Sequence, residues 1–208
     1  MTNILSFLTL INVINVHFYF VHGFPKSDVD NFYNGASYPF PYFTRDEWEA
    51  DIPMNVKPLA KPVPYVVIHH TYIPSACNTS EECFRAMRSM QNYHNSLGWG
   101  DIGYNYCIGS MGGVYEGRGW NSIGIHAGRA NNFSVGICLI GDWRVATPPE
   151  EMLETTKKLI SVGVENGSIS PVYKLVGHNQ TMATECPGPA LFNIISKWDH
   201  YTKEILKF

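Results

Sequence analysis

Pro64-Tyr65-Val66-Val67-Ile68-His69 is a short β-branched, apolar run that ends on a histidine. It reads as a buried central strand. Neighbouring residues on a strand face opposite ways, so only one of His69 and His70 can serve a given site. Downstream, Thr79 to Leu97 reads as a helix. Thr79 with Glu82 resembles a capping box, Phe84, Met87, Gln91 and His94 keep helical spacing, and Met90 and Leu97 widen the buried stripe. Tyr104 to Gly109 and Gly113 to Glu116 read as a hairpin around Met111 and Gly112, and Ser134 to Ile140 as another buried strand. Thr147 is read as the cap of a second helix, with proline in its first turn, an inward face of Met152, Leu153, Thr156, Leu159, Ile160 and Gly163, and a stop at Asn166-Gly167. Val172 to Val176 is a last strand and Ala190 to Trp198 a C-terminal helix. Strands alternating with helices predict an α/β fold, a single domain with a central mixed β-sheet flanked by helices.

The 208 residues are enough for one domain with a real core, and a formal net charge of −3 gives no reason to expect nucleic acid. Ile4 to Val21 is apolar with no charge before Lys26, which reads as a secretory signal peptide over residues 1–23. The alternative, an uncleaved membrane anchor, is weakened by Asn12, Asn15, His17 and His22. Residues 24–40 read as an extended arm, with a helical turn near Arg45 to Ala50, and 41–208 as the domain. Secretion permits disulfides. Of five cysteines, Cys77 and Cys83 enclose a short polar loop and are the obvious pair. Cys107 and Cys138 read as buried thiols, with a bridge between them open if their strands are neighbours. Sequons stand at Asn78, Asn132, Asn166 and Asn179.

The chemistry gathers in Leu175 to Pro189, which holds His178 and Cys186 on a stretch flanked by glycine and proline, hence a shaped loop. Two zinc ligands on a loop need a third, and His69 at its strand end supplies it. Two histidines and one cysteine leave a position for water, the equipment of metal-assisted amide hydrolysis. A lone strand histidine is more often a satisfied core residue, so spacing alone does not decide the matter.

Longer motifs do. Val67-Ile68-His69-His70-Thr71, Asp101-Ile102-Gly103-Tyr104-Asn105, Val114-Tyr115-Glu116-Gly117-Arg118-Gly119-Trp120, Ser134-Val135-Gly136-Ile137, Gly177-His178 and Thr184-Glu185-Cys186-Pro187-Gly188 follow in order. Over about residues 40 to 200 the chain resembles the animal peptidoglycan recognition proteins, which share their domain with phage-lysozyme-type zinc amidases. Ile140-Gly141-Asp142-Trp143-Arg144, with Pro148 and Pro149, looks like the insect LB type, a secreted amidase.

The resemblance implies Zn2+ as cofactor, held by His69, His178 and Cys186. Members lacking that cysteine bind without cleaving. It implies catalytic roles for Tyr104 and Thr184, a disulfide between Cys77 and Cys83, and groove contacts at His94 and His126. Gly98, Trp99 and Arg118 match members that prefer diaminopimelate-type peptidoglycan, whose extra carboxylate a guanidinium can grip bidentately. None of the motifs places a Glu or Asp as proton shuttle. The expected partners are bacterial peptidoglycan and muropeptides, with no nucleic acid and no stable membrane insertion, for a secreted monomer. The expected role is removal of immune-stimulating fragments. The rival reading is a non-catalytic sensor that captures peptidoglycan.

Overall fold

The computed structural model describes residues 32–33 and 36–204. The signal-peptide reading of residues 1–23 and most of the arm at 24–40 lie outside the described residues. A pair of two-residue strands, β1 (Phe32–Tyr33) and β2 (Ala36–Ser37), precedes the domain. There a six-stranded mixed sheet runs in the order β3 (Tyr42–Phe43), β6 (Val114–Glu116), β5 (Tyr106–Ile108), β7 (Ser134–Leu139), β4 (Val63–His70), β8 (Ile169–Gly177). The β5–β6 pair is antiparallel, a hairpin as its sequence predicts. The remaining pairings of this sheet are parallel.

Helix α1 (Ser80–Ser96) covers one face, and α2 (Glu150–Glu165) and α3 (Pro189–Ile195) cover the other. Because strand side chains alternate, each face has its own core. Val66, Ile68, Ile137 and Leu139 meet Met152 and Leu159 of α2 on one side. On the α1 side, Met87 and Met90 pack with Cys107, Cys138 and Ile140. β7 is buried along its whole length, as a strand covered on both faces must be.

The capping at α1 is as expected in part. Thr79 Oγ1 accepts the Glu82 N–H at 3.2 Å, while the Glu82 carboxylate reaches one residue further back, to the Asn78 N–H at 2.8 Å. Leu97 does not extend the buried stripe: it is the C-cap and is 47% exposed. The start of α2 also differs. Thr147 makes no cap, and the helix begins at Glu150 behind Pro149. A residue before proline is pushed toward extended backbone, and both Thr147 and Pro148 precede one, so no helical turn can form earlier. Glu150 and Glu151 then sit where the helix dipole favours negative charge. At the far end Gly167 takes φ 73° and stops the helix, as read. Strand β8 is longer than expected at both ends, and α3 is shorter, starting on Pro189 at its first turn.

Cys77 and Cys83 form a disulfide, with Cα atoms 5.2 Å apart. Cys107 and Cys138 lie opposite each other on neighbouring strands, yet both remain free, buried thiols. The first residues of the domain contribute the unforeseen edge strand β3, and the turn at 45–49 follows it. Trp48, fully buried there, donates its Nε1–H to the Glu116 carbonyl at 2.8 Å. No helix among the described residues is long and apolar enough to cross a membrane.

Candidate metal centre

In parallel sheets, side chains that do chemistry collect beyond the carboxyl ends of the strands. β4 ends on His69-His70, and its neighbour β8 ends on Gly177, immediately before His178. The loop after His178 folds back on itself. The Asn179 N–H donates to the Cys186 carbonyl at 2.8 Å, and the Gly188 N–H donates to the Glu185 carbonyl at 2.7 Å. Cys186 thereby returns to the strand ends, and the ligating atoms of His69, His178 and Cys186 all lie within 4.8 Å of one another.

The alternation rule sorts the two strand histidines. His69 is 1% exposed, and its Nδ1 lies 3.7 Å from Cys186 Sγ. His70 turns away, and its Nδ1 accepts the Trp143 N–H at 3.2 Å. Its backbone still serves the cluster, because the His70 N–H points at Cys186 Sγ from 3.3 Å.

These residues fit a zinc ion. Bonds of about 2.0–2.3 Å in a tetrahedron place donor atoms roughly 3.3–3.8 Å apart, and the measured 3.7 Å between imidazole and sulfur falls in that range. His178 Nε2 is buried with no hydrogen-bond partner, the state of a nitrogen whose partner is not a protein atom. Burial, and then neighbouring histidines, hold His69 well below the ordinary histidine range and bring His178 down to about 4. Both are therefore neutral imidazoles with a lone pair to give. Burial pushes the Cys186 thiol up to about 12, against the lowering effect of the His70 N–H. A bound cation reverses that preference, since a coordinating thiol loses its proton.

A cleft of about 360 Å³ opens onto the cluster, lined by His178, Cys186, Tyr104, Thr184, Tyr72 and Arg144 among others. The Tyr104 ring lies 5.2 Å from that of His69, and burial raises its phenol well above the ordinary range, so it is a proton donor at neutral pH. Thr184 is exposed on the ligand loop and accepts the Cys186 N–H at 3.2 Å. His94 stacks on Trp99 with ring centroids 4.5 Å apart and meets Tyr104 edge-on at 5.7 Å, while its Nδ1 accepts the Gly103 N–H at 3.0 Å. Burial, with the Arg118 charge, brings His94 down to about 4. Gly98 takes φ +79°, which brings the chain round from α1 to Trp99.

Three of the sequence-named groove residues, His94, Arg118 and His126, are buried rather than laid out as an open contact surface. Arg118 is 8% exposed, and its guanidinium donates to the carbonyls of Ile102, Ile123 and Trp99 at 2.7, 3.2 and 3.0 Å. Three of its five N–H groups are thus committed to backbone carbonyls, two on the stretch from Trp99 to Ile102 and one at Ile123. His126 is 7% exposed and stands behind His69, with its Nδ1 3.0 Å from His69 Nε2.

The sequence reading missed the mouth of the cleft. Tyr72, half exposed at φ 61°, lies over the Arg144 guanidinium at 4.3 Å. Arg144 is itself gripped by Asp142 through two bonds of 2.9 and 2.8 Å. Arg144 stood in a recognised motif, but nothing local tied it to Tyr72 across 72 residues.

Residues 59–189 match the N-acetylmuramoyl-L-alanine amidase family model. Peptidoglycan-recognition protein LB of Drosophila melanogaster is 50% identical over 160 residues, 76% of this chain and 69% of the fly protein. The N-acetylmuramoyl-L-alanine amidase of Homo sapiens is 41% identical over 152 residues, 72% of this chain but 26% of the human protein. Among solved structures, peptidoglycan recognition protein LE in complex with tracheal cytotoxin, a monomeric diaminopimelic acid-type peptidoglycan, superposes with a TM-score of 0.76. It has 39% identity, covering 77% of this chain and 95% of that one.

Proposed function

Because the chain belongs to the N-acetylmuramoyl-L-alanine amidase family, in its peptidoglycan-recognition branch, we propose that it is a secreted, monomeric zinc amidase that cuts bacterial peptidoglycan. The bond is the amide between the lactyl group of N-acetylmuramic acid and the L-alanine of the stem peptide. The observation that carries this reading is the convergence of His69, His178 and Cys186, with Nε2 of the candidate ligand His178 buried and without a hydrogen-bond partner.

His69, His178 and Cys186 would hold the metal. Bound zinc supplies a Lewis acid and a water acidic enough to attack near neutral pH. Tyr104, a phenol that keeps its proton, donates to the carbonyl oxygen as negative charge develops there. Thr184, whose oxygen accepts from the Cys186 N–H, keeps its hydroxyl proton free to donate to an oxygen of the same tetrahedral centre. His94 and Trp99 form the wall behind Tyr104 and guide the stem peptide.

The purified protein is expected to carry one equivalent of zinc. Turnover of a muropeptide should vanish with a chelator and return with added zinc. Turnover indifferent to chelation would refute the metal assignment.

We further propose a preference for the diaminopimelate type. It is supported by Gly98, Trp99 and Arg118 in the positions that go with that preference and by the likeness to a protein solved with such a ligand. The two uncommitted N–H groups of Arg118 are the donors for the extra carboxylate. Arg118→Ala should weaken binding to diaminopimelate peptidoglycan by about tenfold more than to the lysine type, as expected for a lost charge-assisted bond of about 1.5 kcal/mol. Equal losses on the two polymers would mean that Arg118 only braces the loop. Degradation of stimulatory fragments would dampen an antibacterial response.

A further inference from the structure

We propose that His126 is a positioning residue for the metal: its Nδ1 accepts the Nε2–H of His69 and so fixes the tautomer and plane of the imidazole that faces Cys186. The inference rests on the zinc reading above and concerns the layer behind the ligands.

His69 is enclosed, and both of its ring nitrogens are accounted for. Nδ1 looks at Cys186 Sγ from 3.7 Å, and Nε2 looks at His126 Nδ1 from 3.0 Å. A neutral imidazole carries one proton. Coordination by Nδ1 requires the lone pair there, so the proton must stand on Nε2, where the His126 nitrogen is its acceptor. The reverse assignment, with His126 donating, puts the proton on the nitrogen that faces Cys186 and blocks coordination. A metal-bound histidine commonly gives its other N–H to a carboxylate or a carbonyl, which fixes its tautomer and orientation. Here a second imidazole takes that place.

The structure builds His126 for such a task. The two rings meet at 89°, with centroids 4.9 Å apart, so one presents its edge to the other. The backbone N–H groups of His126 and Ala127 both donate to Asn131 Oδ1, at 3.0 and 2.6 Å, which pins the turn that carries the ring. The ring fills space that two glycines leave free. A Cβ on Gly136 would stand 2.6 Å from His126 Cγ and Nδ1, and one on Gly124 would stand 2.4 Å from Cδ2. Gly136 lies on β7, paired with Val67 of β4, two residues before His69. The strand that neighbours the ligand therefore also makes room for its support.

Three variants test this: His126→Phe removes the acceptor and keeps a flat ring, His126→Asn keeps an acceptor where Nδ1 was, and Gly136→Ala displaces the ring without altering it. Zinc affinity is measured by chelator competition, and the ligand field is read from the visible spectrum of the cobalt-substituted protein. His126→Phe and Gly136→Ala should bind zinc about 10–100-fold more weakly, the usual cost of losing such a partner, with a shifted cobalt spectrum. His126→Asn should recover most of the affinity. Circular dichroism shows whether each variant folds, and if His126→Phe does not, the contrast of His126→Asn with Gly136→Ala decides the matter. Wild-type zinc affinity in a folded His126→Phe or Gly136→Ala protein would overturn the proposal, as would a loss in His126→Asn as large as in the others. A wild-type protein that binds no zinc would overturn the metal reading itself, a distinct result.

Discussion

Cys186→Ser is expected to abolish amidase turnover, by about a thousandfold or more, and to leave capture of insoluble peptidoglycan nearly intact. Serine cannot replace the thiolate. Its hydroxyl stays protonated in this pocket and is a poor ligand for zinc, so the metal is lost or weakly held. The Lewis acid then disappears from the reaction, and it is worth several kcal/mol in the transition state at about 1.4 kcal/mol per tenfold. The fold has no reason to suffer. The Asn179 N–H bond to the carbonyl of residue 186 and the Gly188 turn are made by backbone and survive the exchange. The His70 N–H, now 3.3 Å from sulfur, can donate to the new oxygen. Chromatography of released stem peptide, metal content and a pull-down on cell-wall polymer give the three readouts. Turnover within tenfold of wild type would refute Cys186 as a zinc ligand. Loss of polymer binding together with loss of turnover would show that the loop, and not the ion alone, had been damaged. A sensor, the rival reading, predicts no turnover in either protein.

Tyr104→Phe is the second large effect. It removes one oxygen and leaves the ring packed against His69 and His94. If the phenol donates to the developing oxyanion, kcat should fall by about 100–1000-fold, the usual cost of deleting one such donor. KM and zinc content should hardly move, because the bond forms only in the transition state. A change in KM alone, with kcat intact, would reduce Tyr104 to a wall of the groove. Because burial holds the phenol well above its ordinary range, the wild-type rate should show no tyrosine ionisation through neutral pH. The residual rate of the variant should keep the same profile.

The legibility of this site in the sequence follows from how local each feature is. Val66 to Ile68 announced a buried strand through their side chains alone, and the sheet places them inside. His178 and Cys186 are legible because Gly177 before the one and Pro187, Gly188 and Pro189 after the other mark a shaped loop within a few residues. The alternation of strand side chains limits the site to one of His69 and His70, the family resemblance names His69, and the geometry places it beside the thiol. The contact of His126 with His69, 57 residues away, left no trace in spacing, and neither did the placing of Tyr72 on Arg144. The start of α2 was misread for a different reason. Thr147 is a good capping residue by type, but two consecutive prolines restrict the backbone ahead of each, and that steric rule overrides the side chain's preference.

The edge strand β3 and the turn behind it have a practical meaning for anyone who trims the gene. Arg45 meets Asp101 at 3.1 and 3.0 Å and the Gly117 carbonyl at 2.6 Å, while Trp48 fills a socket beneath Glu116. A recombinant fragment cut to the family-matched span, from residue 59 onward, would leave that socket hollow and a buried carboxylate without its cation. The shortest version worth expressing therefore opens upstream of Tyr38, whose ring stacks on Tyr42 at 4.4 Å. A purification tag belongs ahead of that tyrosine, never in place of the residues that follow it.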